Sequence, residues 1–186
     1  MESATRSWGR RGICLLLVLV TGWALGACDA DTGPRPRGVP AGAEAVTITA
    51  HVDGDTVRVM AAADGAALRG GVETRVRLLE IDAPESVRPD HRVECFGEEA
   101  SAALAELLPR GSTAWVVPDQ ELEDRFGRTL LYLWNDAGVF VNERMILDGH
   151  ATAVLFEPND RYIDTMRAAE ASARSAGAGL WGTCRG

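Results

Sequence analysis

Two β-branched, alternating segments meet at an Asp-Gly pair, and no other feature restricts the fold of this chain as tightly. Val46-Thr-Ile-Thr-Ala-His-Val52 and Thr56-Val-Arg-Val-Met60 place every second side chain on one face, the period of a half-buried strand. Asp53-Gly54 between them is a tight-turn signal, so an antiparallel hairpin is expected. A loose, Ala- and Gly-rich tip over residues 61–71 leads to a third strand, Thr74-Arg-Val-Arg-Leu-Leu-Glu-Ile81. Its alternation puts Arg75, Arg77, Leu79 and Ile81 on one face and Val76, Leu78 and Glu80 on the other. Residues 97–108 carry Ala, Leu and Glu at helical spacing and stop before Pro109-Arg-Gly111. Thr113-Ala-Trp-Val-Val117 and Arg128-Thr-Leu-Leu-Tyr-Leu-Trp134 read as the fourth and fifth strands, with an acidic loop over 119–127 between them. Helices are expected over 141–147, stopped by Gly149, and over 162–175, ended by Gly177 and Gly179.

Three strands, a helix, two strands and closing helices suggest an α+β chain, mainly a β barrel with about three helices. A five-stranded barrel with a helix between strands three and four is the OB-fold arrangement. The 186 residues suit one domain with attachments, and the folded part is expected over 46–184.

The attachment is N-terminal. Arg6, Arg10 and Arg11 precede the apolar run Ile13-Cys-Leu-Leu-Leu-Val-Leu-Val20, which is shorter than the roughly 20 residues of a membrane-spanning helix. Basic residues, an apolar core and small residues describe a secretory signal over 1–27. The segment Leu25-Gly26-Ala27-Cys28 resembles a bacterial lipobox, which implies cleavage before Cys28 and lipid on its sulfur. Ordinary signal cleavage with Cys28 incidental is the alternative. Residues 28–45, with Gly33-Pro-Arg-Pro-Arg-Gly-Val-Pro40 inside them, read as a flexible tether. The expected location is therefore outside the cell, lipid-anchored to the membrane or released.

Export changes the reading of the cysteines. Cys14 leaves with the signal, and Cys95 and Cys184 remain in an oxidising compartment. A disulfide pinning the C-terminal tail is expected, with two free thiols as the alternative. No zinc-type cysteine spacing is present.

Every one of the 19 basic residues is Arg. A lysine nucleophile is excluded, and each cation is a planar fork suited to carboxylate or phosphate. Net charge is −8; loss of residues 1–27, with three Arg and one Glu, takes it to −10. This counts against binding of nucleic acid through a broad basic surface.

Chemistry concentrates in three clusters at strand ends: Asp53-Gly-Asp-Thr56, Arg77-Leu-Leu-Glu-Ile-Asp82-Ala-Pro-Glu85, and Asp124-Arg-Phe-Gly-Arg128. Singly, each reads as a turn or a solvated loop. Together they resemble the staphylococcal (micrococcal) nuclease, or thermonuclease-like, family. Glu94-Cys-Phe-Gly-Glu-Glu-Ala-Ser101, Leu131-Tyr132, Val141-Asn142, Asp148-Gly149, Glu157-Pro-Asn159 and Gly179-Leu-Trp181 extend the resemblance over about 46–181.

That resemblance implies an OB-fold nuclease cutting DNA and RNA with little sequence preference and leaving 3′-phosphate ends. It implies one Ca²⁺ on Asp55, Asp82 and the carbonyl of Ala83, a donor set that suits a hard cation. Glu85 takes the position of the carboxylate that holds or deprotonates the attacking water. Arg77 and Arg128 take those of the guanidinium groups that stabilise the five-coordinate phosphorane-like transition state. Arg125 and Phe126 match positions that contact phosphate and nucleotide, while Asp53 and Thr56 support the metal site. Glu85→Gln and Arg77→Ala are expected to lose several orders of magnitude in rate with the fold intact.

The departures lie in the nucleotide pocket. Val154 and Phe156 stand where the family has two tyrosines; Phe156 retains a π-face for a base, and Val154 does not. The loop over 87–92 keeps Arg88, His91 and Arg92, with Asp90 among them, and His91 reads as a solvated loop residue. A monomer is expected. The competing function is a non-catalytic OB-fold module binding nucleic acid or protein.

Overall fold

The computed structural model describes residues 35–86 and 93–184. The signal over 1–27, Cys28, the first part of the tether, and Arg88, His91 and Arg92 lie outside the described residues.

Five strands form a closed barrel: β1 (Glu44–His51), β2 (Thr56–Ala61), β3 (Glu73–Leu78), β6 (Thr129–Asn135) and β5 (Thr113–Glu123), in that order, with β5 closing on β1. Only β3 and β6 run parallel; the other neighbours are antiparallel. A two-stranded ladder, β4 (Ile81–Asp82) with β7 (Thr152–Ala153), sits beside the barrel. Helices α1 (Gly97–Leu107), α2 (Val141–Leu147), α3 (Ile163–Ala176) and a last turn, α4 (Leu180–Thr183), pack around it. The expected α+β barrel with three helices is the architecture found, α4 being too short for a sequence period to show.

Alternation explains β1 and β2. Val46, Ile48, Val57 and Val59 point into the barrel and are buried, while Arg58 and Met60 face out. Leu104 and Leu108 from α1 and its C-terminal end, Met145 and Ile146 from α2 and Met166 from α3 fill the same core. A second cluster covers the outer face of β5 and β6, with Trp115, Val117, Leu130, Tyr132 and Trp134 buried under Phe140 and Tyr162. β6 is thus buried on both faces, which is why it reads as an unbroken apolar run.

The structure differs from the sequence expectation at three places. The predicted third strand breaks after Leu78. Leu79 donates its amide to the Leu131 carbonyl, Glu80 adopts φ of 61°, and the chain turns to pair Ile81 with Ala153. Residues 76–81 are all buried, so alternation carried no facing information there. Second, β5 runs on through the predicted acidic loop to Glu123, and the turn shrinks to residues 124–127. Pairing jumps from Pro118 with Leu131 to Glu123 with Thr129, leaving the intervening backbone without a β6 partner. Buried Asn159 takes that role, accepting from the Glu121 amide at 2.8 Å and donating to its carbonyl at 3.0 Å. Third, order begins before Val46: β1 starts at Glu44, and Val39 lies in the second core cluster with 7% exposure. The C-terminal part of the expected tether therefore packs on the barrel, because Val39 is an apolar side chain at its foot.

The expected disulfide is present. Cys95, just before α1, bonds Cys184, just after α4, across a sequence separation of 89. Gly149 earns its place at the end of α2: φ is +75°, and a Cβ there would lie 2.2 Å from the Ala178 carbonyl oxygen.

Candidate active site

Three short backbone devices bring the acidic and basic clusters together. In the β1–β2 turn, Asp53 accepts the Asp55 amide at 3.1 Å, an Asx turn that turns Asp55 inward. In the β3–β4 turn, Leu79 is fastened to β6 through its amide and to α2 through its carbonyl, which Asn142 Nδ2 reaches at 2.8 Å. Asn142 Oδ1 in turn takes the Leu133 amide at 2.9 Å. In the β5–β6 turn, Asp124 accepts the amides of Phe126 and Arg128, each at 2.9 Å.

Asp55, Arg77 and Asp82 meet where the first two turns touch. Asp55 Oδ2 accepts the Ala83 amide at 3.0 Å and lies 3.1 Å from Arg77 Nη2. Its Oδ1 accepts the Thr56 hydroxyl at 3.0 Å. Arg77 Nη2 also reaches Asp82 Oδ1 at 2.8 Å, and Nη1 donates to the carbonyls of Leu78 at 2.8 Å and Ile81 at 2.7 Å. Arg77 is thus a buried hub with 3% exposure. The expectation that Arg77→Ala leaves the fold intact is corrected here: truncation would strand a buried carboxylate and two carbonyls.

A cavity of about 340 Å³ opens above this hub. Asp53, Asp55, Arg77, Asp82, Ala83, Glu85 and Arg128 line it, together with Val154 and Phe156. Phe156 covers Arg77, whose guanidinium carbon lies 5.3 Å from the ring centre. Arg125 and Phe126 do not line the cavity. Phe126 is 68% exposed, with the guanidinium carbons of Arg125 and Arg128 at 4.7 Å and 5.6 Å from its ring centre. Two participants belong to motifs the sequence singles out, but sequence reasoning assigned neither a role of its own. Glu94 lines the cavity and accepts the Glu85 amide at 3.1 Å, while the Glu85 carbonyl takes the Glu94 amide at 2.9 Å. Asp124 Oδ2 receives both Nε and Nη2 of Arg128, each at 2.7 Å, and so fixes the guanidinium plane.

The cavity lining is predominantly acidic. Five carboxyl side chains and two guanidinium groups face the cavity. Burial pushes the Asp55 carboxyl up to about 7; Arg77 pulls it down and Asp53 pushes it further up. The donor set is all oxygen, which fits Ca²⁺. Among the described residues no group of three or more His, Cys, Asp or Glu is arranged to hold a metal ion. Asp55, Asp82 and the carbonyl of Ala83 are the groups at the cavity that could hold such an ion. Behind the site, burial raises the Glu80 carboxyl, and hydrogen bonds from Tyr132 and the Tyr162 amide partly offset this.

Burial alone would raise the Asp124 carboxyl, but its bonds from the Arg128 and Phe126 amides and the Arg128 guanidinium hold it below the usual range. The unfolded chain therefore binds the proton first on acidification. The stabilising effect of Asp124 is complete above about pH 4, the ordinary carboxylate value, and is lost as pH falls through the depressed folded value. Urea midpoints of wild type and Asp124→Asn, followed from pH 7 to pH 2.5, should differ at neutral pH and converge in acid.

Residues 75–183 match the sequence model of the staphylococcal nuclease homologues. The chain belongs to this family. Among staphylococcal nuclease homologues, it is 31% identical over 130 residues to a protein named thermonuclease from Staphylococcus hyicus, covering 70% of this chain and 71% of that one. It is 36% identical over 137 residues to the SPbeta prophage-derived endonuclease YokF of Bacillus subtilis (strain 168), covering 73% of this chain and 43% of YokF. Endonuclease YncB of the same organism is 34% identical over 137 residues, covering 73% of this chain and 61% of YncB. The chain thus spans less than two thirds of either Bacillus relative.

Proposed function

We propose that this chain is a Ca²⁺-dependent endonuclease hydrolysing DNA and RNA with little sequence preference and leaving 3′-phosphate ends. The observation that carries the reading is the convergence of Asp55, Asp82, Arg77, Glu85 and Arg128 on one cavity whose carboxyl groups outnumber its guanidinium groups. A phosphodiester entering that cavity meets net negative charge, which a divalent cation would largely offset. Ca²⁺ held by Asp55, Asp82 and the Ala83 carbonyl would supply charge neutralisation and polarise a phosphate oxygen.

The protein's own groups do the rest. Glu85 orients the attacking water and takes its proton. Arg128, held flat by Asp124, offers its remaining donors to the non-bridging oxygens as their charge grows. Arg77, with most donors committed, contributes chiefly fixed positive charge under the reacting phosphate. Phe156 and Val154 wall the nucleotide side, and Phe126 with Arg125 meets the chain at the rim. The lipobox-like segment supports an exported protein anchored outside the membrane through Cys28, acting as a monomer.

The test is digestion of denatured DNA and of RNA by the domain in calcium and in chelator. Rapid loss of substrate in calcium and none in chelator is expected. Equal digestion in both, or none in either, overturns the reading, and calcium-independent binding without cleavage favours the non-catalytic module.

A further inference from the structure

The turn that carries Asp82 has a costly residue at its apex. Glu80 is a non-glycine residue in the left-handed region, with φ of 61°, and it is fully buried. Its Oε1 accepts the Tyr132 hydroxyl at 2.7 Å and the Tyr162 amide at 3.2 Å. Its Oε2 is buried with no hydrogen-bond partner. An apolar side chain would fill this place without stranding a polar atom. Backbone strain and a half-satisfied buried acid on one residue point to a role other than stability.

The contacts say what that role is. Glu80 follows Arg77 by three residues and precedes Asp82 by two, so it stands midway between the cationic hub and the exposed metal-site carboxylate. Its carbonyl accepts the Val154 amide at 3.1 Å, two residues before Phe156. Its side chain ties the same apex to β6, through Tyr132, and to the start of α3, through the Tyr162 amide. The rings of these two tyrosines are themselves in edge contact, with centres 4.8 Å apart. One residue thus fastens the Asp82 turn, the Val154–Phe156 wall and the barrel to one another. Without it the turn keeps its Leu79 anchors on one side and the short β4–β7 ladder on the other.

We propose that Glu80 is a positioning residue for the metal site: it sets where Asp82 and the Val154–Phe156 wall stand relative to Arg77. This rests on the calcium-site reading above. Residues that orient metal ligands typically change affinity 10–100-fold when removed.

The test compares wild type, Glu80→Leu, Glu80→Gln and Tyr132→Phe by calorimetric titration with calcium alone. Thermal midpoint and the kcat and KM for denatured DNA are measured alongside. Glu80→Leu leaves the Tyr132 hydroxyl bonded to Asp119, 3.0 Å away, so it should fold. Its calcium Kd should rise at least about tenfold and its kcat fall by a similar factor. Glu80→Gln keeps an acceptor for both donors and should restore calcium affinity to within about threefold. A purely structural residue would lower the midpoint of Glu80→Leu with calcium affinity unchanged, which overturns the proposal. If Glu80→Leu does not fold, Tyr132→Phe decides, since a raised calcium Kd supports the proposal and an unchanged one overturns it. A wild type that binds calcium and cuts DNA, with Glu80→Leu equal to it, overturns this inference alone. A wild type that binds no calcium overturns it together with the calcium-site reading.

Discussion

Glu85→Gln should cut DNA at least about a thousandfold more slowly than wild type while melting within a few degrees of it, the range that loss of a positioned base gives. Its backbone, not its carboxylate, makes the two bonds that clasp Glu94, so amidation leaves that clasp in place. Arg77→Ala should behave differently. It loses comparable activity, but it also strands Asp55 and the carbonyls of Leu78 and Ile81, at a cost of about 3–5 kcal/mol. Measured side by side, kcat and thermal midpoint separate the two: Glu85→Gln moves only the first, Arg77→Ala moves both. Near-wild-type cleavage by Glu85→Gln would remove Glu85 from the chemistry, and an unchanged midpoint for Arg77→Ala would contradict its place as a buried hub.

Reduction of Cys95–Cys184, or Cys184→Ser, should lower stability more than any single surface change. The bond closes a loop across a separation of 89 residues, and chain-entropy arguments assign such a closure about 4–5 kcal/mol, real values often being lower. For a domain of this size that is on the order of 10 °C in the thermal midpoint. Melting followed by circular dichroism with and without reductant checks it, and a shift of less than about 2 °C would mean that the unfolded chain gains little freedom.

Charge changes its meaning once the site is in view. The acidic balance counts against a broad basic surface. Yet part of that acidity lines the cavity, and part, such as Asp124, holds an arginine in place. On the proposed nuclease reading, the excess negative charge would bear on how the substrate is held and on the need for a cation, not on the class of substrate.

The amino-acid sequence alone determined the residues that can carry chemistry and most of the elements that carry them. Those signals are local: Asp53 to Thr56, Arg77 to Glu85 and Asp124 to Arg128 are each contiguous, and β1, β2, α2 and α3 follow from periodicity and their stop residues. Alternation ceased to inform where both faces of the backbone are buried, as from Val76 to Ile81, and there the break at Glu80 went unseen. Only the tertiary structure decided which groups meet. Asp55 with Arg77, Asn159 with Glu121 and Glu80 with Tyr132 and Tyr162 are hydrogen bonds and ion pairs between segments distant in the chain. No period or spacing encodes such pairs. The barrel brings these segments together to bury its apolar faces, and their polar groups, shut off from water, must then satisfy one another.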